Sequence, residues 1–246
     1  MSKIFYYELK RFVFSRLFFG MFVINGIYAW FVLATDVIIG IAYTAPFSGW
    51  SYCAYLGKTM PIAIITALLM LAGSYSKKQK QVEILTCATP VTASCQILIR
   101  SAAIGVCFAL ICVLEMLAAL FFFVCFFQFD GFGAYIVPSL LIILPCFVLF
   151  IGLGLLLGRL HQSLIYVLIF AAFAAGFFNI GIENAFDLFG AGYFSSYPLT
   201  LPVGSSGEPD FVVSFTFIAA RMAYLGIGTA CIYISIMLSR RKSRQA

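Results

Sequence analysis

The chain has 246 residues, of which 63% are hydrophobic and only 10% charged, with a net charge of +6. A soluble domain carries roughly 25% charged residues, so this composition excludes a soluble core with one anchor and defines a polytopic membrane protein. Nor does the positive charge point to nucleic acid: thirteen of the fifteen Lys and Arg, all but Lys58 and Arg221, fall in segments assigned below to the cytoplasmic side, which is the positive-inside bias.

Residues 1–17 predict an interfacial helix. At about 100° per residue, Phe5, Leu9, Phe12 and Val13 share one face, with Lys3, Lys10 and Arg11 on the opposite arc. Such a helix lies in the headgroup layer with its bases toward anionic lipid. Its basic region is too long and too aromatic for a signal peptide, and no small-residue cleavage site follows, so it is expected to be retained.

Six apolar runs come near the length of about 20 residues that a spanning helix needs: 18–42, 57–75, 101–127, 134–157, 163–181 and 213–238. Bases precede the first run (Lys3, Lys10, Arg11, Arg16) and link the second to the third (Lys77, Lys78, Lys80, Arg100). They also link the fourth to the fifth (Arg159) and follow the sixth (Arg240, Arg241, Lys242, Arg244). The other connections carry Asp130, Glu183, Asp187, Glu208 and Asp210, with Lys58 their only base. This alternation predicts a multi-pass protein of the cytoplasmic (inner) membrane with both termini cytoplasmic.

Two connections are unusually long. The cytoplasmic one, 76–100, reads SKKQKQVEILTCATPVTASCQILIR. It has an amphipathic core at Val82-Glu83-Ile84-Leu85, breaks at Thr89-Pro90 and restarts as a helix. The outer one, 182–212, is apolar in its first half and turn-rich in its second. Phe186, Leu188, Phe189 and Tyr193 would sit badly in water, so a re-entrant or interfacial helical pair over the outer mouth is expected. Non-helical backbone at that depth must be covered by protein or line a wet cavity.

Within the spans, Pro61 and Pro138 are placed in first turns, where proline is tolerated, and Pro145 predicts a kink. Gly154 and Gly158 form a G-x-x-x-G pair that permits close helix packing. The Phe residues 121–123, 126, 127 and 129 crowd the outer end of the third span and read mainly as lipid contact and helix packing.

Little else suggests chemistry. Gly57-Lys58-Thr59 resembles the end of a phosphate-binding loop, but the first glycine that G-x-x-x-x-G-K-[ST] requires would fall at Tyr52. His161 is the only histidine, which excludes His-cluster metalloprotease designs; an interfacial polar anchor suits it. The cysteines form no C-x-x-C pair, and most lie in apolar spans, where Cys acts as a small hydrophobe. Glu115 and Arg221 are the intramembrane charges. Counted from the cytoplasmic ends of their spans they lie at roughly 21 and 25 Å depth, which suggests an ion pair across the third and sixth spans.

The whole layout resembles the permease subunits of type-2 ABC exporters: a basic amphipathic N-terminal helix, six spans with both ends inside, a long cytoplasmic link after the second span and a long outer connection before the sixth. The local match is Glu83-Ile84-Leu85-Thr86-Cys87-Ala88-Thr89-Pro90-Val91, since that family places a Glu, a few apolar residues and a small-residue-Pro-Val/Ile break after its second span. The layout covers essentially the whole chain, the motif about nine residues.

The resemblance implies an all-α fold with a connecting helix at 1–17, a coupling helix within 76–100 and a re-entrant pair within 182–212. It implies that Lys78, Lys80, Glu83, Ile84 and Leu85 contact a separate ABC ATPase subunit and that Thr89-Pro90 ends that contact. Two permease chains, as a homodimer or heterodimer, would stand over two ATPase subunits that hold ATP and magnesium. This chain would carry no cofactor and no catalytic residue. Export of an amphipathic or hydrophobic substrate, such as a peptide, drug or lipid-linked molecule, is then the expected function. The alternative is a small secondary transporter or channel-like protein working without an ATPase, toward which only Glu115 and Arg221 point.

Overall fold

Between residues 13 and 16 the backbone leaves one helix and starts another. In the computed structural model, which describes residues 2–75, 93–178, 184–204 and 207–243, helix α1 (Ser2–Val13) ends there. Ser15 is extended, with ψ 141°, and its Oγ accepts the N–H of Phe18 at 3.1 Å to open α2 (Arg16–Val32). A serine hydroxyl at this position satisfies one of the donors that a helix start leaves free. The two helices are therefore separate. The apolar face read from the sequence is the one α1 uses: Phe12 is buried, and Phe5, Leu9 and Val13 pack on the core.

Helix α2 runs into a π-turn (Leu33–Val37) before a loop leads to α3 (Gly49–Ser74). Then come α4 (Ala93–Phe127), a 3-10 turn (Phe132–Tyr135), α5 (Ile136–Leu160) and α6 (Gln162–Phe177). A 3-10 turn (Asn184–Phe186), α7 (Ala191–Ser196), a further 3-10 turn (Tyr197–Thr200) and α8 (Phe215–Ser243) complete the order. All regular structure among the described residues is helical. Among the described residues, five stretches are long and apolar enough to cross a membrane: Arg16–Val37, Gly49–Ser74, Cys95–Phe127, Phe132–Leu160 and Phe215–Ser239. The chain is an α-helical multi-pass membrane protein. The fifth expected span, 163–181, corresponds to α6, an apolar helix of 16 residues.

Helix α3 is the centre of the bundle and packs against α2, α4, α5, α6 and α7. It starts at Gly49, eight residues earlier than the expected 57, with Ser48 as its cap (Oγ to the N–H of Ser51, 3.2 Å). Pro61 is therefore inside the helix, not in its first turn. The polar and aromatic run Trp50-Ser51-Tyr52 looks like a loop in sequence, but all three residues are buried, Trp50 against Phe194 and Phe211, Ser51 against Thr44 and Tyr52 against Tyr135.

The closest helix crossing joins α5 to α8. A Cβ on Gly152 would lie 2.3 Å from the Gly228 carbonyl oxygen, and a Cβ on Gly228 would lie 2.5 Å from that of Val148. Lipid offers no hydrophobic drive for helices to associate, so such contacts rest on small residues that let backbones approach. The predicted pair Gly154 and Gly158 serves other neighbours: Leu68 and Leu71 of α3 meet the first, and Tyr75 and Ile165 meet the second. Helix α5 continues unbroken through Pro145.

Candidate functional site: polar levels along the central helix

Ser51, Tyr55, Thr59, Thr66 and Ser74 recur along α3 at steps of four, four, seven and eight residues, which puts them on one face of a helix with 3.6 residues per turn. All five are buried. Each finds a partner. Ser51 Oγ lies 3.1 Å from Thr44 Oγ1 and accepts the N–H of Ile41. The Tyr55 hydroxyl donates to the Glu115 carbonyl at 2.8 Å. Thr59 Oγ1 lies 3.1 Å from Glu115 Oε2. Asn25 of α2 donates to Thr66 Oγ1 at 3.1 Å. Ser74 donates to the Met70 carbonyl at 3.3 Å. Tyr55, Thr59 and Thr66 thus mark polar levels of an otherwise apolar interface between α2, α3 and α4. The spacing of Ser and Thr along α3 was the sequence signal for it.

Glu115 is fully buried, and its other carboxyl oxygen, Oε1, has no hydrogen-bond partner among the described residues. Thr59 has a single proton for two acceptors, since the Leu56 carbonyl also lies 3.1 Å from its oxygen. This buried carboxyl is therefore incompletely satisfied among the described residues. Its expected ion pair with Arg221 is not formed: the ion pairs among the described residues are Glu8–Arg11, Asp36–Lys58 and Glu8–Arg100. Depth along a span does not set the direction a side chain faces. Glu115 faces α3, whereas Arg221 faces the outer connection.

Arg221 is also fully buried. Its Nη2 donates to the Asp187 carbonyl at 2.7 Å, and its Nη1 donates to the Leu188 carbonyl. Its guanidinium lies 4.4 Å from the centre of the Phe217 ring. Asp187 is free to cap the following turn, accepting the N–H groups of Phe189 (3.1 Å) and Gly192 (2.7 Å). One long side chain on α8 therefore holds two carbonyls of a non-helical stretch, sharing that of Leu188 with the Cys146 thiol, which lies 2.9 Å from it.

Trp50 Nε1 donates to the Pro209 carbonyl at 3.1 Å, and Glu208 accepts the N–H of Ala45 at 2.8 Å. Of the four residues expected to avoid water, Phe189 and Tyr193 are buried and Leu188 is half-buried, whereas Phe186 is exposed; Phe194 is buried as well. Helix α7 packs directly on α3.

The Gly57-Lys58-Thr59 triplet, unsuited to phosphate, has three separate structural tasks. Gly57 admits the backbone of Ala191, which a Cβ would approach to 2.6 Å. Lys58 Nζ lies 2.7 Å from Asp36 Oδ2. Thr59 serves Glu115. His161 is exposed and caps α6, its Nδ1 accepting the N–H of Ser163 at 3.3 Å.

At the opposite end, α1 packs on α4 and is joined to it by Glu8 and Arg100, 3.7 Å apart. A small cavity of about 80 Å³ lies beside this junction, with Ser74, Tyr75, Arg100 and Arg159 in its walls. The segment expected to dock an ATPase leads into α4 here. Its named residues, Lys78, Lys80, Glu83, Ile84, Leu85, Thr89 and Pro90, lie outside the described residues.

Comparison with protein-family models, with curated proteins and with solved structures finds no match to this chain.

Proposed function

We propose that this chain is the membrane-spanning permease subunit of an ATP-driven transporter of the type-2 ABC exporter kind. ATP is hydrolysed on a separate subunit, and a second permease chain completes the translocation path. The termini and the 76–100 link lie in the cytoplasm, and the cargo is amphipathic or hydrophobic.

The observation that carries this reading is the junction of α1 with α4. At about 1.5 Å per residue the 35 residues of α4 extend about 52 Å, well beyond a hydrocarbon core of about 30 Å. The excess includes the end that follows the 76–92 segment, and α1 is bonded to it through Glu8 and Arg100. A partner pushing on the segment would move α4 and α1 as one lever, and α4 reaches the Thr59–Glu115 level of the bundle. Rigid elements of this kind convert closure of a partner into helix displacement. The outer connection, pinned by Arg221 and Trp50, suits a cap over the outer mouth.

Affinity purification of the full chain from its own membranes in mild detergent tests this. An ATPase subunit with a phosphate-binding loop is expected to co-purify in stoichiometric amount. A stable chain that transports cargo in vesicles without ATP or any such partner would favour the second reading, a secondary transporter. That reading draws on one observation, the incompletely satisfied Glu115 carboxyl, because ionisable groups within spans commonly mark ion or substrate paths.

A further inference from the structure

Below the outer ends of α4 and α5 is a cavity of about 290 Å³ whose walls are almost wholly apolar. Tyr52 of α3, Met116 and Phe123 of α4, and Phe132 and Tyr135 of the 3-10 turn form it. The two tyrosines bring hydroxyls, but both are engaged elsewhere. Tyr52 Oη lies 2.9 Å from Ser139 Oγ, and Tyr135 donates to the Phe47 carbonyl. Their rings stack with centroids 4.4 Å apart, so each turns carbon toward its neighbours. A buried water needs two to four polar partners, and apolar cavities without them stay dry and take apolar guests.

The mouth is defined by Val113 and Leu117 of α4 and by Ile136 of α5, all of them exposed. These residues lie on helices long and apolar enough to cross a membrane. The cavity therefore opens sideways, continuous with the surface that meets acyl chains. Its volume is at the lower limit of ordinary ligand pockets, roughly 300–1,000 Å³, and about twice that of a cavity of roughly 150 Å³ that binds benzene. No charged side chain lines it, so it offers nothing to a headgroup.

From this geometry we infer that the cavity is a binding site for the hydrocarbon tail of a single bilayer phospholipid, which enters between α4 and α5 from the membrane. The site recognises chain, not headgroup. It stands whether or not the protein is coupled to an ATPase.

The test uses the full chain in phosphatidylcholine vesicles containing a small fraction of phosphatidylcholine with a diazirine in one acyl chain. After irradiation, labelled positions are mapped by peptide mass spectrometry. Met116, Leu117 and Phe132 are expected to carry at least five-fold more label than Met222, Ile227 and Met237 of α8, which are exposed to the same surroundings. Two variants fill the site. Met116→Trp enlarges a wall residue. Gly133→Leu adds a side chain at a lining position where a new Cβ meets nothing within 4 Å. In whichever variant retains the wild-type melting temperature, labelling of α4 should fall to the level of α8 while α8 labelling stays constant. Equal labelling of the two helices in the wild type would reduce the cavity to ordinary lipid contact and overturn the proposal. So would enrichment on α4 that survives filling.

Discussion

Helices α3 and α8 have the same mean hydropathy in their most apolar windows, yet 72% of that window is buried in α3 and only 17% in α8. Hydropathy measures compatibility with a membrane; it does not separate a helix surrounded by protein from one surrounded by lipid. The polar side chains make that distinction. Along α3 they are hydroxyls at helical spacing, most of them engaging a neighbouring segment. On α8 the buried Arg221 holds the connection that precedes the helix, and Gly228 sets the approach to α5. The central helix is bound at many levels, the peripheral one at a few strong points.

The sharpest way to break this contrast is to remove the strong point. Arg221→Met should remove the partner of the Asp187 carbonyl and leave that of Leu188 with only the weak Cys146 thiol donor. Hydrogen bonds to charged groups contribute about 1.5–3 kcal/mol each, and with Cys146 still donating to Leu188 a loss of about 3 kcal/mol or more is expected from the two. It would be measured as a lower melting temperature in detergent together with faster proteolysis between residues 190 and 214. Arg221→Lys, which supplies a single nitrogen, should recover less than half of that.

Gly228→Leu comes next. Its side chain meets the backbone of Val148, with a Cβ contact of 2.5 Å, and over-packing of this kind costs about 1–3 kcal/mol. The same change at Gly226, where a Cβ meets nothing within 4 Å, should leave stability unaltered.

On α3 the expected effects are smaller and paired. Thr59→Val leaves the Glu115 side chain without a hydrogen-bond partner among the described residues, at a cost of about 1–3 kcal/mol. Thr59→Val combined with Glu115→Leu removes both members and should cost less than Thr59→Val alone. A double-mutant cycle on melting temperature reads the difference. The smallest effect belongs to Lys58→Met. Both members of its pair with Asp36 are partly exposed, with side-chain values of 32% and 42%, and such pairs contribute about 0.2–1 kcal/mol.

The helical class, the fourth and sixth spans to within three residues, the separate amphipathic α1 and the burial of Phe189 and Tyr193 were legible in the sequence, because each follows from where apolar side chains fall. The start of α3 was not. Trp50, Ser51 and Tyr52 read as loop until three separate segments cover them: that holding Phe194 and Pro209 for Trp50, the turn at Ile41 and Thr44 for Ser51, and Tyr135 and Ser139 for Tyr52. Nor was the direction faced by Glu115 and Arg221, since depth follows from counting residues whereas orientation follows from packing. Gly154 and Gly158 were recognised as packing glycines, but their neighbours were not. Gly152 and Gly228, more than seventy residues apart in sequence, share no local motif.

The most direct test of the proposed coupling is ATP hydrolysis by the complex purified with the wild-type chain and with the double variant Ile84→Asp/Leu85→Asp. The account predicts a stimulated rate with the wild type. With the variant it predicts loss of the ATPase subunit or a rate that no longer responds to the permease, while the melting temperature of the membrane chain stays the same. A variant that keeps both its ATPase partner and its stimulated rate would contradict the assignment of this segment as the point where energy enters.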